Sequence, residues 1–353
     1  MGKGTAKDFA GTDQDIKAFE KFIIRYITVN NRWNSPKFLF GESYGTTRSA
    51  GLVAALNNDG VAFNGVTLLS SILNYARRAP GLDNEAWGYL PTYAAIAYYH
   101  KKVPQKGSMA EWVESARKFA RGPYLSALQQ GDQLPREQFD AIAQQVANFT
   151  GLSVQYVKES NLAIAPTRFR KELLRDQGEI LGRYDARFEG FDVDAAGENP
   201  GYDPSDTGIS GVYVGAFHDY IRTELKFMSD EPYNLQGPGL NQNWDFHHRP
   251  SGAQGGGGGG GRGQTEPDTA VDLADALRKN PRLRVFSANG YFDMATPFFS
   301  TEYDLSHMNL PPALKDHVQF GYYPAGHMVY LNVEALKMLH TDMDRFYDEA
   351  TAH

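Results

Sequence analysis

Cysteine is missing altogether from the 353 residues, which excludes disulfide bonds and thiolate chemistry. A chain of this length can build its core without covalent staples, so the absence does not choose a compartment. Basic charge is also short: 35 Lys and Arg against 42 Asp and Glu leave a net charge of −7 at pH 7. A phosphate backbone demands a concentrated basic face, so nucleic acid is not an expected partner. Long apolar runs are lacking as well. None reaches the roughly 18 residues that mark a bilayer span, and the opening MGKGTAKDFAGTDQD has no apolar segment of the kind a signal peptide requires. What is there is ample material for a core, with 41% hydrophobic and 13% aromatic residues, enough for one large α/β domain with an insertion or for two ordinary domains.

Periodicity divides the chain. Apolar residues at Ile16, Phe19, Ile23, Ile24 and Ile27 recur at helical spacing over 13–29, and Pro36 to Phe40 reads as a short buried strand. A helix from Thr46 to about Asn57 and a strand in NGVTLLSSIL follow. The alternation predicts a mostly parallel sheet with crossover helices on both faces, over a first core segment at 1–78. Residues 79–242 read as an inserted helical cap, with helical segments in SMAEWVESARKFA, PREQFDAIAQQVANF and PTRFRKELLRDQGEIL. The glycine-rich 243–269 reads as a mobile linker. It fails as a phosphate cradle, because no strand precedes its glycines and no Lys-Ser/Thr follows them. The alternation resumes over 270–353, with strands at Leu283 to Ala288 and Val318 to Tyr323 and a closing helix in YLNVEALKMLHTDMDRFYDEA.

The segment FLFGESYGTTRSAG contains Gly41-Glu42-Ser43-Tyr44-Gly45, a G-x-S-x-G placed after a strand and before a helix. That context is the one a nucleophile elbow needs. The serine would sit in strained backbone geometry, Gly41 and Gly45 would avoid collisions with the neighbouring strand and helix, and the helix would aim its N-terminal N–H groups at charge developing on the serine. The pentapeptide alone fits a structural serine in a tight turn equally well. A serine hydroxyl needs a histidine to take its proton and a carboxylate to orient that histidine. Asp293, in SANGYFDMATP, and His327, in YYPAGHMVY, each directly follow a predicted strand, in the order serine, acid, histidine. Singly each has a plainer reading, Asp293 as a turn carboxylate and His327 as a capping or core histidine. Together they predict a triad.

At these residues the sequence resembles the serine carboxypeptidases, in particular their cysteine-free bacterial members. GESYG, GYFDMATP and GHMVY carry the resemblance, together with RWNSPKFLFGESYGTTRSAGL and LLRDQGEILGRYDARFEGFD. It implies an α/β-hydrolase fold with a helical cap, release of the C-terminal residue from a peptide substrate, Ser43, Asp293 and His327 as triad, and the backbone N–H of Tyr44 as an oxyanion donor. It implies neither cofactor nor metal. Glu42 would read the substrate's terminal carboxylate, since two carboxyl groups in contact must share a proton; its plainer role is a hydrogen bond within the elbow. A periplasmic or secreted location for the full-length protein follows from the same likeness. Family members also carry an upstream GGPG loop, with a second oxyanion donor and the first strands of the sheet. Neither precedes Ser43 here, so the expectation is an N-terminally shortened member with reduced activity, losing one oxyanion donor at a cost of about a hundred- to a thousandfold in rate.

The remaining features are weaker. DVDAAGENPGYD, Asp192 to Asp203, has acids at positions one, three and twelve and Gly197 at six, as in a calcium loop. Ala196 at a ligand position favours a solvated acidic loop instead. His247 and His248 read as loop residues, because adjacent side chains diverge and no carboxylate pattern surrounds them. An esterase or acyltransferase would use the same triad, and a fragment that retains the triad without turnover is the alternative outside catalysis.

Overall fold

Two stretches, VTLL and VFSA, are apolar or small at nearly every position and are buried on both faces. Such runs suit the middle of a parallel sheet, where alternation is not needed. In the computed structural model, which describes residues 4–78, 83–231, 233, 243–250 and 265–352, they form the two central strands. The chain runs from α1 (Thr12–Val29) through β1 (Phe38–Glu42) and α2 (Tyr44–Asn58) to β2 (Gly65–Leu69). The insertion contributes α3 (Asn84–Tyr99), α4 (Met109–Phe119), α5 (Leu125–Gln130), α6 (Arg136–Thr150), α7 (Val154–Glu159) and α8 (Pro166–Glu172). A hairpin of β3 (Glu179–Leu181) and β4 (Glu189–Phe191) and the long α9 (Pro204–Thr223) complete it. The second core segment carries α10 (Ala270–Lys279), β5 (Arg284–Gly290), α11 (Phe298–Ser306), α12 (Pro312–Lys315), β6 (Val318–Tyr323) and α13 (Val333–Thr351).

The main sheet has the order β1-β2-β5-β6 and every pair in it is parallel. Parallel pairing puts the carboxyl ends of all four strands on one rim, where ligands bind in open α/β sheets. On one face Val66, Leu68 and Val285 pack against Ile16 and Ile27 of α1, Leu52 and Leu56 of α2 and Leu273 and Leu277 of α10. On the other, Leu69, Phe286 and Ala288 meet Leu339, Met343 and Phe346 of α13. Each of the larger of these side chains contributes about 1.5–3 kcal/mol on burial. The insertion has its own core around Tyr93, Val113, Phe119, Val146 and Phe169, and Phe292, Met294 and Phe298 join it. It is therefore packed directly onto the loop that follows β5. No strand pairs with the outer edge of β1 among the described residues, and Phe40 there is 52% exposed.

Three expectations change. The helix predicted through PTRFRKELLRDQGEIL stops at Glu172; Gly178, at φ 75°, turns the chain, and Glu179–Leu181 enters the hairpin. A positive φ is open to glycine at little steric cost, so the insertion is not purely helical. The ends of the predicted linker are docked. Thr12 N–H donates to the Asp245 carbonyl at 2.8 Å, Asp245 N–H to Ala10 at 3.1 Å, and Thr269 N–H to Leu73 at 2.9 Å. The glycines at 255–261 lie outside the described residues. Among the described residues no helix is long and apolar enough to cross a membrane.

His248 corrects the third expectation. His247 points outward to Asp245, but His248 is only 2% exposed, with Nδ1 2.7 Å from Asp13 Oδ1 and Nε2 2.8 Å from Asp272 Oδ2. It ties the segment 243–250 to the first turns of both α1 and α10. Burial alone would lower its pKa, but the two carboxylates raise it from 6.5 to about 9. A raised folded-state value means a stabilisation fully present below about pH 6.5 and lost as pH climbs through about 9. Thermal unfolding of the native protein and of His248→Gln, from about pH 6 to about pH 10, is expected to show a gap that is widest at the acid end and shrinks towards the alkaline end. A gap independent of pH would mean that the imidazole is neutral in the fold.

Candidate functional site

Ser43 stands between the last residue of β1 and the first of α2, at φ 55° and ψ −125°. A non-glycine residue in such a region costs on the order of 1–3 kcal/mol, so its surroundings must hold it there. They do so through the backbone. Ser43 N–H donates to Leu69 at 3.0 Å, and its carbonyl accepts from the N–H and the hydroxyl of Thr46 at 2.9 and 2.7 Å. The Thr46 hydroxyl in turn accepts from Ile72 N–H at 3.0 Å. Gly41 is sterically required, because a Cβ there would lie 2.2 Å from the Gly45 carbonyl oxygen. Gly45 is not, which corrects the sequence expectation: a Cβ at that position meets nothing within 4 Å. The Tyr44 N–H opens α2, so it has no carbonyl one turn back within the helix. Its side chain is anchored away from the elbow, with the hydroxyl donating to Asp15 Oδ2 at 2.9 Å and the ring edge-on to Trp244.

Asp293 and His327, 34 residues apart, meet beyond the ends of β5 and β6, with His327 Nδ1 2.8 Å from Asp293 Oδ2. Both are buried, at 0% and 3% exposure. The other Asp293 oxygen accepts from the N–H groups of Ala295 and Thr296 at 2.8 and 2.9 Å, and the Thr296 hydroxyl donates to Oδ2 at 2.6 Å. Burial would raise the Asp293 carboxyl, but the charge and hydrogen bond of His327 and the bonds from Thr296 bring it below the usual range. For His327 the balance runs the other way: burial lowers it, while the charge and hydrogen bond of Asp293, followed by the charge of Glu42, leave it raised. The histidine's carbonyl accepts from the Ser70 hydroxyl at 2.6 Å. Since Ser43 N–H is bonded to Leu69, the turn after β2 braces both residues.

Glu42 is half-buried, and Tyr330 O–H reaches its two carboxylate oxygens at 3.2 and 3.0 Å. Burial raises the Glu42 carboxyl; the Tyr330 hydrogen bond and the His327 charge only partly offset this. Among the described hydrogen bonds, none within 3.5 Å joins the Ser43 hydroxyl to the imidazole. The structure thus brings Asp293 to His327 and sets Glu42 in electrostatic contact with both, with Ser43 beside them in the elbow. Thr296, Tyr330 and Ser70 went unread in the sequence. The first two lie inside the quoted motifs, three residues beyond Asp293 and His327, close enough for a side chain to reach back.

The acidic stretch Asp192 to Asp203 is largely solvent-exposed, as expected of an acidic loop, but its first carboxylate is not. The Lys171 ammonium, 2% exposed, binds the Asp192 carboxylate, itself 3% exposed, and the Asp194 carbonyl. Among the described residues no group of three or more His, Asp or Glu side chains is arranged to hold a metal. No protein-family model matches the chain, and no curated protein does.

The elbow glycines offer a direct contrast. Gly41→Ala drives a methyl into the Gly45 carbonyl and is expected to destabilise by about 2 kcal/mol or more, within the range of overpacked cores. Gly45→Ala adds a helix-favouring residue in open space and should stay within about 0.5 kcal/mol. Chemical denaturation of the two variants checks this; equal losses would contradict the asymmetry.

Proposed function

We propose that the chain is a serine hydrolase working through an acyl-enzyme, and that its reaction is release of the C-terminal residue from a peptide. The observation that carries the reading is the buried Asp293–His327 pair on the same rim of the sheet as a serine held at φ 55° at the end of β1. In the proposed cycle Ser43 Oγ attacks the scissile carbonyl while His327 Nε2 takes the hydroxyl proton and then passes it to the leaving amine. Asp293 keeps the Nδ1–H oriented and stabilises the imidazolium. The Tyr44 N–H receives the oxyanion. Water, deprotonated by the same imidazole, then frees the acyl group from Ser43. The hydroxyl-to-imidazole hydrogen bond of this scheme belongs to the substrate complex, since such contacts are often long in a free enzyme and tighten on binding.

A fluorophosphonate probe tests the first half. Ser43 is expected to be the residue labelled, with Ser43→Ala and His327→Ala giving almost no labelling and Asp293→Asn losing as much as about 10⁴-fold in rate. Equal labelling of Ser43→Ala would sink the assignment.

The second half rests on Glu42. A protonated Glu42 can donate to a substrate carboxylate, whereas the ionised form repels it. Its raised pKa extends the protonated form to higher pH than for an ordinary glutamate. His327 must be neutral to accept the serine proton, and its raised pKa moves that requirement to higher pH as well. The Michaelis constant for a peptide acid is therefore expected to rise with pH while that for the methyl ester of the same peptide stays nearly flat, and Glu42→Gln should remove most of the difference. Coincident profiles in the unmutated protein would move the reading from carboxypeptidase to esterase.

A further inference from the structure

The loop between β3 and β4 belongs to the insertion, yet its hydrogen bonds run to the two loops that carry Asp293 and His327. Arg183 O accepts from Met294 N–H at 3.1 Å, and Ala186 N–H donates to Phe292 O at 3.0 Å, so the residues on both sides of Asp293 are held. Tyr184 O accepts from His327 N–H at 2.6 Å, and the Tyr184 ring lies 5.4 Å from the imidazole between centroids. The side chains add a second bracket. Asp185 Oδ2 accepts from Gly326 N–H at 3.1 Å, the residue just before the histidine. Arg187 grips the same carboxylate through Nε and Nη2, at 2.9 and 2.6 Å from its two oxygens, and its Nη1 donates to Pro324 O at 2.7 Å.

This contact is tight enough to require glycine on the other side. A Cβ on Gly326 would lie 2.3 Å from the Tyr184 carbonyl oxygen and 2.4 Å from Asp185 Cβ. Asp185 is 9% exposed, so its carboxylate is paired and nearly desolvated, and removing it would leave the Arg187 fork without its planar partner. The bracket meets the histidine loop through backbone groups, at Gly326 N–H and Pro324 O, rather than through the imidazole ring. Its effect on the imidazole is through position.

We propose that Asp185, clamped by Arg187, is a positioning residue that fixes His327 against Asp293 from the insertion side. The claim rests on the hydrolase reading for its catalytic meaning, but not for its structural one. Misplacing a reacting group by about 1 Å can cost about a hundredfold in rate, so the bracket is of the size that matters.

Two readouts test it on the full chain. The first is the rate of fluorophosphonate labelling at Ser43. The second is the strongly deshielded proton on His327 Nδ1, which nuclear magnetic resonance detects when a buried histidine is held against a carboxylate. Asp185→Ala is expected to slow labelling about 10- to 100-fold and to weaken or abolish that resonance. Asp185→Asn keeps an oxygen for Gly326 N–H, so it should lose less and rescue part of both signals; it also serves if the alanine variant fails to fold. Both readouts at the unmutated level in a folded variant overturn the proposal, as does slowed labelling with the resonance unmoved. If the unmutated protein takes no probe, the hydrolase reading fails, and the dependence of the resonance on Asp185 still decides whether the bracket positions the histidine.

Discussion

The hydrogen bonds made just beyond the carboxyl end of β2 are the constraint on which the rest of the site depends. Leu69 accepts from Ser43 N–H, Ser70 N–H donates to Ala288 of β5, and the Ser70 hydroxyl donates to the His327 carbonyl. One turn thus joins the elbow after β1, the strand leading to Asp293 and the loop after β6. Ser70 itself sits at φ 50°, a second non-glycine residue in a costly conformation on the same rim. Such strain persists only where the surroundings over-determine it, and here the parallel ladder does that by fixing the strand ends before any side chain is considered.

Upon that frame lies a balance of charge among buried and half-buried groups. Asp293 stays ionised although fully buried, because four hydrogen bonds, one of them with the His327 imidazole, compensate its desolvation. Glu42, with the Tyr330 hydroxyl as partner and less protection from burial, is pushed towards its neutral form. Two carboxyls on one rim, driven in opposite directions by their surroundings, can divide roles between orienting a base and meeting an anion.

Much of this frame was legible in the sequence, for a physical reason. Parallel strands buried on both faces read as short apolar runs, and the residues that follow them must lie on one rim, so Ser43, Asp293 and His327 could be assigned to a common edge from order alone. What the sequence hid were pairings set by distant partners. His248 is a core residue because Asp13 and Asp272 converge on it from two helices. The strands β3 and β4 are three residues each, and Glu179–Leu181 continues an apolar pattern that suits a helix until Gly178 breaks it. Asp185 and Arg187 went unread, since what holds them are backbone carbonyls and N–H groups of distant loops that sequence does not mark. Gly45 carries the converse lesson, as local pattern cannot tell a crowded glycine from one beside open space.

The sheet's central seam joins Gly65 to Arg284, with the whole insertion between them. Closing a loop of that length costs little more at equilibrium than closing one half as long, about 0.6 kcal/mol per doubling, but contacts so far apart in sequence form slowly. As the chain leaves the ribosome, β1 and β2 must wait as an apolar two-stranded ribbon until β5 emerges more than two hundred residues later, about ten to forty seconds at ordinary synthesis rates. In that interval the insertion, with a core built mostly from neighbouring helices, can already fold. The segment Arg183–Arg187 then stands ready as a template against which the loops of Asp293 and His327 set when the last strands arrive.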